Sequence, residues 1–357
     1  MKKNFSTFLF AIVATTMPAV VSAAEPITVK IDTGTDVTLQ DTDANEYYEI
    51  ATSDELYAFA AAVNGGNNTI NGELTANIIV NTGDVAGCEG IKAEGWRMWT
   101  PIGGASVTFE GGFNGNNYII SGLYFNDDKA GYVGVFGQTY RSTIQELGVE
   151  NTYFHGDHSL GGIIGQNGYA SYLTNCYSHA TVVGDRDHVG GVVGYNFKAT
   201  MSNCYHVGNV SGGTNYIGAV AGESYGATMS NCYYLAGATV GGVNGADVVG
   251  EAEAKTAAQF ASGEVAYLLN EATSEGTLAW GQNIDNEATP DAYPVLGGAT
   301  VYCKVISETE KEYTNTYVAT LLDNLNTTNT NLQKLLRNGQ LIIIRDGIEY
   351  NAMAQEL

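Results

Sequence analysis

The chain has 357 residues, 38 acidic against 15 basic side chains, and a formal net charge of −23. Its 44% hydrophobic content is enough to build a core and excludes wholesale disorder, and its negative field disfavours nucleic acid and anionic membrane surfaces as partners. The 45 Gly, 5 Pro and 23 Tyr point to many short strands and tight turns, not to long helices or collagen.

Residues 1–23 read as a secretory signal peptide. Lys2 and Lys3 precede a mostly apolar stretch from Phe5 to Val21, and Val21-Ser22-Ala23 supplies small residues for cleavage. Thr15, Thr16 and Pro18 interrupt the stretch, which is too short for a membrane span. No Cys follows the cleavage position, which argues against a lipid anchor. With Lys2 and Lys3 removed the charge becomes 13 − 38 = −25. Residues 24–48 read as an N-terminal extension and 49–72 as a capping helix. Thr52 and Glu55 have capping-box spacing, Leu56, Phe59, Ala60 and Val63 form an apolar stripe, and Gly65-Gly66 ends the helix. Residues 74–80 read as a first strand.

A repeat fills most of the interval 73–250. Asn175-Cys176-Tyr177, Asn203-Cys204-Tyr205 and Asn231-Cys232-Tyr233 recur every 28 residues. Gly161-Gly162-Ile163-Ile164-Gly165 returns as Gly190-Gly191-Val192-Val193-Gly194 and as Gly218-Ala219-Val220-Ala221-Gly222. A degenerate copy has Val133–Gly137 and then Thr143–Leu147, with Leu147 at the Cys position. Such a period marks a solenoid, propeller or array. Short β-branched runs, about three per unit, favour one turn of a parallel β-solenoid over a four-stranded propeller blade. Stacked coils about 4.8 Å apart then turn equivalent residues into axial ladders.

Met201 and Cys204 are three apart, so strand alternation cannot point both inward. A bend at Asn203 resolves the conflict, because Asn tolerates left-handed backbone and stacked Asn side chains can hydrogen-bond along the axis. The Gly pairs are expected at corners whose backbone only Gly tolerates. Five Cys (Cys88, Cys176, Cys204, Cys232, Cys303) leave at least one unpaired. The Cys ladder reads as core packing, since stacked side chains suit neither a disulfide nor a tetrahedral metal site. Tyr177, Tyr205 and Tyr233 are expected to face outward.

Thr256–Asn270 reads as a second amphipathic helix, with Phe260, Val265, Leu268 and Leu269 apolar. Together with Trp280 and Tyr293–Leu296 it forms a C-terminal cap, 251–307, over the last coil. Residues 308–336 read as a linker, with the Asn/Thr-rich run Asn324–Asn331 a linker or a weak helix. In 337–357, strand-like runs flank Asp346-Gly347, a hairpin signal. The fold class is therefore all-β: a parallel β-solenoid capped by a helix at each end, with a C-terminal β-hairpin.

These phrases resemble GLUG repeats of bacterial exported and surface proteins, including regions of the IgA-specific metallopeptidase family. The resemblance spans about Trp96–Asn244 and includes Trp99-Thr100-Pro101-Ile102-Gly103 and Phe113–Ile120. It implies architecture but not peptidase activity, because no His-Glu-x-x-His occurs. Arg337–Gln340 through Tyr350–Met353 resembles the end of type IX secretion sorting domains, with Ala354 where Gly is expected; that resemblance implies export to the outer surface.

One cluster has the composition of a site. His155, Asp157, His158 and then Asp185, Arg186, Asp187, His188 precede successive Gly pairs, so stacking brings imidazoles and carboxylates to one edge. This could serve a cation or acid/base chemistry, although polar turn residues are the commoner reason for such composition. Gly213-Thr214-Asn215-Tyr216 in the next coil is expected to end the ladder. No pattern implies a cofactor. The function expected is a non-catalytic scaffold or adhesin, at the outer cell surface or extracellular and at most peripheral to the outer membrane. It presents a ladder surface to glycans or to host or bacterial surface proteins, with Tyr177, Tyr205 and Tyr233 able to stack on sugars. The alternative is a carbohydrate-active solenoid enzyme using Asp185–His188.

Overall fold

A computed structural model describes residues 23–237, 240–244, 250–285, 288–307, 310–316, 332–337, 340–345 and 348–350. Nearly all of the signal-like segment, Asn324–Asn331, Asp346-Gly347 and the residues after Tyr350 lie outside these. The described chain is a parallel β-solenoid. One sheet stacks seven parallel strands, from Tyr47–Ile50 through Thr143–Gln145 to Thr228–Ser230. A second runs from Ile78–Ile79 through Gly148–Gly156, Tyr177–Gly184 and Cys232–Leu235 to Ala252–Lys255. A third holds Phe136–Thr139, Ile164–Asn167, Val193–Phe197 and Ala221–Tyr225. Pairs such as Leu160–Gly161 and Val189–Gly190 add a narrow fourth side.

Each central coil turns at three residues with left-handed backbone. Asn175, Asn203 and Asn231 have φ of 52°, 53° and 54°, and Glu146 fills that corner in the preceding coil. A second corner is made by Arg141, Ala170, Lys198 and Gly226, and a third by Tyr132, Ser159, His188 and Tyr216. The Asn corner lets both flanking residues face inward: Met201 and Cys204 are fully buried. Asn231 Nδ2 donates to Asn203 Oδ1 at 2.7 Å, tying adjacent coils. The Gly pairs stand where the expectation differs from the structure. Gly161, Gly190 and Gly218 do not have positive φ. They are small because space is short: a Cβ on Gly190 would lie 2.0 Å from Val193 O, and one on Gly191 would lie 2.3 Å from the His206 ring.

Side chains of successive coils stack in register through the interior. Phe113, Ile144, Leu173, Met201 and Met229 form one ladder. The next is Leu147, Cys176, Cys204 and Cys232, all at most 1% exposed. The three cysteines are free thiols, and each Sγ lies 3.1–3.3 Å from the carbonyl two residues before it, that of Thr174, Ser202 or Ser230. A buried polar ladder, absent from the sequence reading, runs from Thr139 Oγ1 to Asn167 to Asn196 to Ser224. It satisfies polar groups that the core would otherwise strand.

The ends differ from expectation in detail. Helix α1, Ser53–Asn64, carries the Thr52–Glu55 capping box and packs into the core next to Phe109 and Phe113. However, Tyr47–Ile50 already pairs in parallel with Asn71–Leu74, so the solenoid begins inside the supposed extension. The expected strand at 74–80 is two short strands, Asn71–Leu74 and Ile78–Ile79. The single second helix is two, α2 at Ala257–Ala261 and α3 at Glu264–Leu269, broken at Gly263 with φ 87°. Gly starts the new helix there because it adopts that backbone without a Cβ clash. At the C-terminus Gln340–Arg345 pairs antiparallel with Ile348–Tyr350, and a third strand, Leu332–Arg337, lies in the interval read as linker.

Two outcomes follow from this geometry. Ala170 is exposed with φ 57°, so Ala170→Gly should raise unfolding stability by about 0.5–1 kcal/mol. That is the left-handed cost of about 1–2 kcal/mol less the extra entropy of Gly; an unchanged denaturation midpoint would count against the corner assignment. Cys204→Ala should cost about 1 kcal/mol through an unfilled core position. In the native protein Cys176, Cys204 and Cys232 should resist alkylation until denaturant is added, as peptide mapping would show.

Candidate functional site

The His/Asp corner assembles, but as a series of pairs. His155 lies between Asn126 Oδ1 at 2.6 Å and Asp185 Oδ1 at 3.2 Å. Asp157 takes an ion pair from Arg186 of the next coil and a contact of 3.1 Å from His158 Nδ1. Arg186 holds the Asp157 carboxyl below its ordinary range, with His158 adding to the effect. Asp187 accepts from Thr214 Oγ1 at 2.9 Å and Asn215 Nδ2 at 3.0 Å, and those bonds lower its pKa too. The coil expected to end the ladder therefore continues it with neutral donors. His188 stacks on Tyr216 at 4.8 Å with rings 3° from parallel, and its Nε2 lies 2.8 Å from Glu223 Oε2. Each of these carboxylates is engaged by a neighbouring coil. Among the described residues no cluster of three or more His, Cys, Asp or Glu is arranged to hold a metal.

The Tyr ladder does point away from the solenoid core, but it is covered. Tyr177 and Tyr205 stack at 5.1 Å with rings 2° from parallel, and Trp280 of the C-terminal cap sits against both, at 6.1 and 5.4 Å. Phe260, Val265 and Leu269 complete this second hydrophobic cluster with Tyr233. Tyr205 Oη donates to Pro294 O at 2.7 Å. The cap thus lies along the flank of three coils, so Tyr177, Tyr205 and Tyr233 are not available to stack on a sugar.

A different ring ladder is open. Along the third sheet, the outward positions hold Gln138, Gln166, Tyr195 and Glu223 in register. Two residues on, Phe197 and Tyr225 stack at 6.0 Å with rings 8° from parallel, Tyr195 packs on Phe197 at 5.4 Å, and Tyr140 stacks on Tyr169 at 6.2 Å. Tyr169, Tyr172 and Tyr225 are 48%, 54% and 56% exposed. The sequence signal was present: an aromatic ring follows the coil glycine by three residues at Gly137/Tyr140, Gly194/Phe197 and Gly222/Tyr225. It is obscured in the middle coil, where Gly168 takes the place and Tyr169 follows.

Comparison with known proteins gives partial likenesses. The chain is 31% identical over 157 residues to "Halomucin" of Haloquadratum walsbyi, covering 42% of this chain and 2% of that protein. It is 30% identical over 99 residues to a protein of Evansella cellulosilytica described as a Gly-rich membrane protein, covering 28% of this chain and 9% of that one. The chain therefore spans less than a tenth of either relative. No family model matches it, and no solved structure is similar to it. Among the described residues no helix is long and apolar enough to cross a membrane.

Two histidines lie outside the corner, His206 buried and His179 half-buried. His206 occupies the interior ladder of Ile120, Val149, Ser178 and Tyr234. Neither of its ring nitrogens meets hydrogen-bond geometry with a protein group, and burial, helped by nearby His179, lowers its pKa to about 3. Burial lowers His179, beside Tyr177 and Tyr293, to about 4. Unfolded His titrates near 6.5. Between that value and the folded pKa the unfolded chain binds the extra proton, so stability is full above about pH 6.5 and falls as pH falls towards 3–4. The slope per histidine is at most about 1.4 kcal/mol per pH unit. His206→Leu should flatten the loss between pH 6.5 and 4 in denaturant titrations; equal slopes would show that His206 does not carry it.

Proposed function

We propose that this protein is an exported, non-catalytic repeat scaffold of the outer cell surface, and that the open ring face binds glycans. The observation that carries the reading is the ladder of half-buried and exposed rings beside the outward amides Gln138 and Gln166. Such a ladder offers apolar ring surface to the apolar side of sugar rings, with amide groups for their hydroxyls. The face lies on a rigid sheet, so binding orders little of the protein and costs little entropy. The Trp99–Gly103 and Gly-Gly phrases support placing the chain beside GLUG-repeat surface proteins. Within that phrase Trp99 is buried and its indole N–H donates to Gly134 O at 3.0 Å. The signal-like start and the sorting-like 337–357 segment support export to the surface, and the names of the two relatives are compatible with it.

A glycan array run with a reducing-sugar release assay tests this. Binding without product is expected, and the Phe197→Ala/Tyr225→Ala double variant should weaken it about tenfold, the scale of aromatic stacking lost from a platform. Sugar release that disappears in Asp187→Ala would replace the scaffold reading with an enzyme.

A further inference from the structure

The open face is poor in carboxylates for so acidic a chain, with Glu146 and Glu110 at its borders. The strips Gln138–Gln145, Gln166–Thr174, Tyr195–Ser202 and Glu223–Ser230 make up this side of four coils, spanning the third sheet, its corner and the start of the first sheet. They contain two cations, Arg141 and Lys198, and one carboxylate, Glu223, in a chain of 38 acids and 15 bases. His188 already engages Glu223. Arg141 and Lys198 are both exposed corner residues in left-handed backbone, with φ 53° and 51°. Neither has an ion-pair partner among the described residues; each lies instead over a ring of the ladder. Arg141 Cζ is 5.2 Å from the centre of Tyr140, and Lys198 Nζ is 5.2 Å from that of Phe197. Elsewhere Arg97, Arg186 and Lys255 are tied to carboxylates.

We infer that this face takes an acidic polysaccharide, a linear glycan bearing carboxylates or sulfates, with Arg141 and Lys198 reading its charge and the ring ladder its apolar sugar surface. This rests on the glycan-binding reading above. A ring-borne cation keeps its position without a protein carboxylate, because the ring quadrupole holds it and leaves its donors turned to a ligand anion. Two coils separate the cations, roughly 10 Å at the coil spacing, so a chain laid along the axis meets both. The overall negative charge does not prevent this. At physiological ionic strength the screening length is about 8 Å, so a bound polymer responds mainly to the groups beneath it.

The test compares polygalacturonate and dextran sulfate with methyl-esterified polygalacturonate and neutral dextran, by calorimetry or affinity electrophoresis on the full chain. At least one acidic polymer should bind more tightly than its neutral counterpart. Arg141→Gln with Lys198→Gln should erase that preference, weakening the acidic polymer about tenfold and leaving neutral binding unchanged. Phe197→Ala with Tyr225→Ala should weaken both. Equal binding of charged and neutral forms, or a preference that survives loss of both cations, overturns the inference while leaving the glycan reading intact. Absence of binding to every polymer and every array glycan overturns both. Circular dichroism melts on each variant separate lost binding from lost fold.

Discussion

The stack depends on one constraint: each coil must turn through three left-handed residues at the same angular positions as the coil beneath it. The corner values lie between 51° and 62° in the central coils, whatever the side chain. A left-handed L-residue costs about 1–2 kcal/mol, and a coil with three corners meets that cost several times. Cooperation between coils offsets it. Once the corners coincide, parallel strands pair in register, Met201 falls on Met229 and Cys204 on Cys232, and buried polar groups such as Asn167 and Asn196 find partners only in the neighbouring coil. No coil is stable alone, which is the behaviour of a one-dimensional array.

Legibility in the sequence follows from which constraints a residue type reports. The period was plain because ladders require like residues at like positions. The Asn corner was also readable, since Asn is one of the few side chains that favours left-handed backbone, and the three-residue gap between Met201 and Cys204 demanded a bend. The corners at Arg141, Ala170 and Lys198, and at Ser159, His188 and Tyr216, carried no such signature, because the fold imposes the conformation on residues that do not prefer it. The Gly pairs gave the right residue with the wrong cause. They answer to the His206 ring and to neighbouring carbonyls, a long-range crowding that local propensity does not encode. The broken second helix was missed for a related reason: the apolar spacing continues across Gly263, and only the left-handed backbone there separates the two segments.

The candidate site was legible in composition but not in connectivity. His155, Asp157, His158, Asp185, Asp187 and His188 do meet on one edge. Whether they face a ligand or one another depends on offsets of one or two residues between coils, which a sequence with irregular insertions does not fix. Arg186 reaches back to Asp157, and Thr214 and Asn215 satisfy Asp187. Such cross-coil pairing holds the middle coils together at this corner, a structural use of residues whose types suggest chemistry.

Repetition generates ladders on every side of the solenoid; the segments that do not repeat decide what those ladders are for. Two ring ladders run up this molecule with nearly the same geometry. At Tyr177 and Tyr205 the rings are 5.1 Å apart, and the C-terminal cap has claimed them, filling the flank with Trp280 and Phe260 and closing it with the bond from Tyr205 to the Pro294 carbonyl. At Phe197 and Tyr225 they are 6.0 Å apart; Phe197 is half-buried and Tyr225 is exposed, with no cap over them. The covered ladder is backed by a hydrophobic cap and contributes to stability by burial. The open one is fringed by Arg141 and Lys198, each lying over a ring of the ladder. An apolar stripe of stacked rings exposed without such a fringe would invite association between copies, and the two cations interrupt that stripe at the corners of the first and third of its four coils.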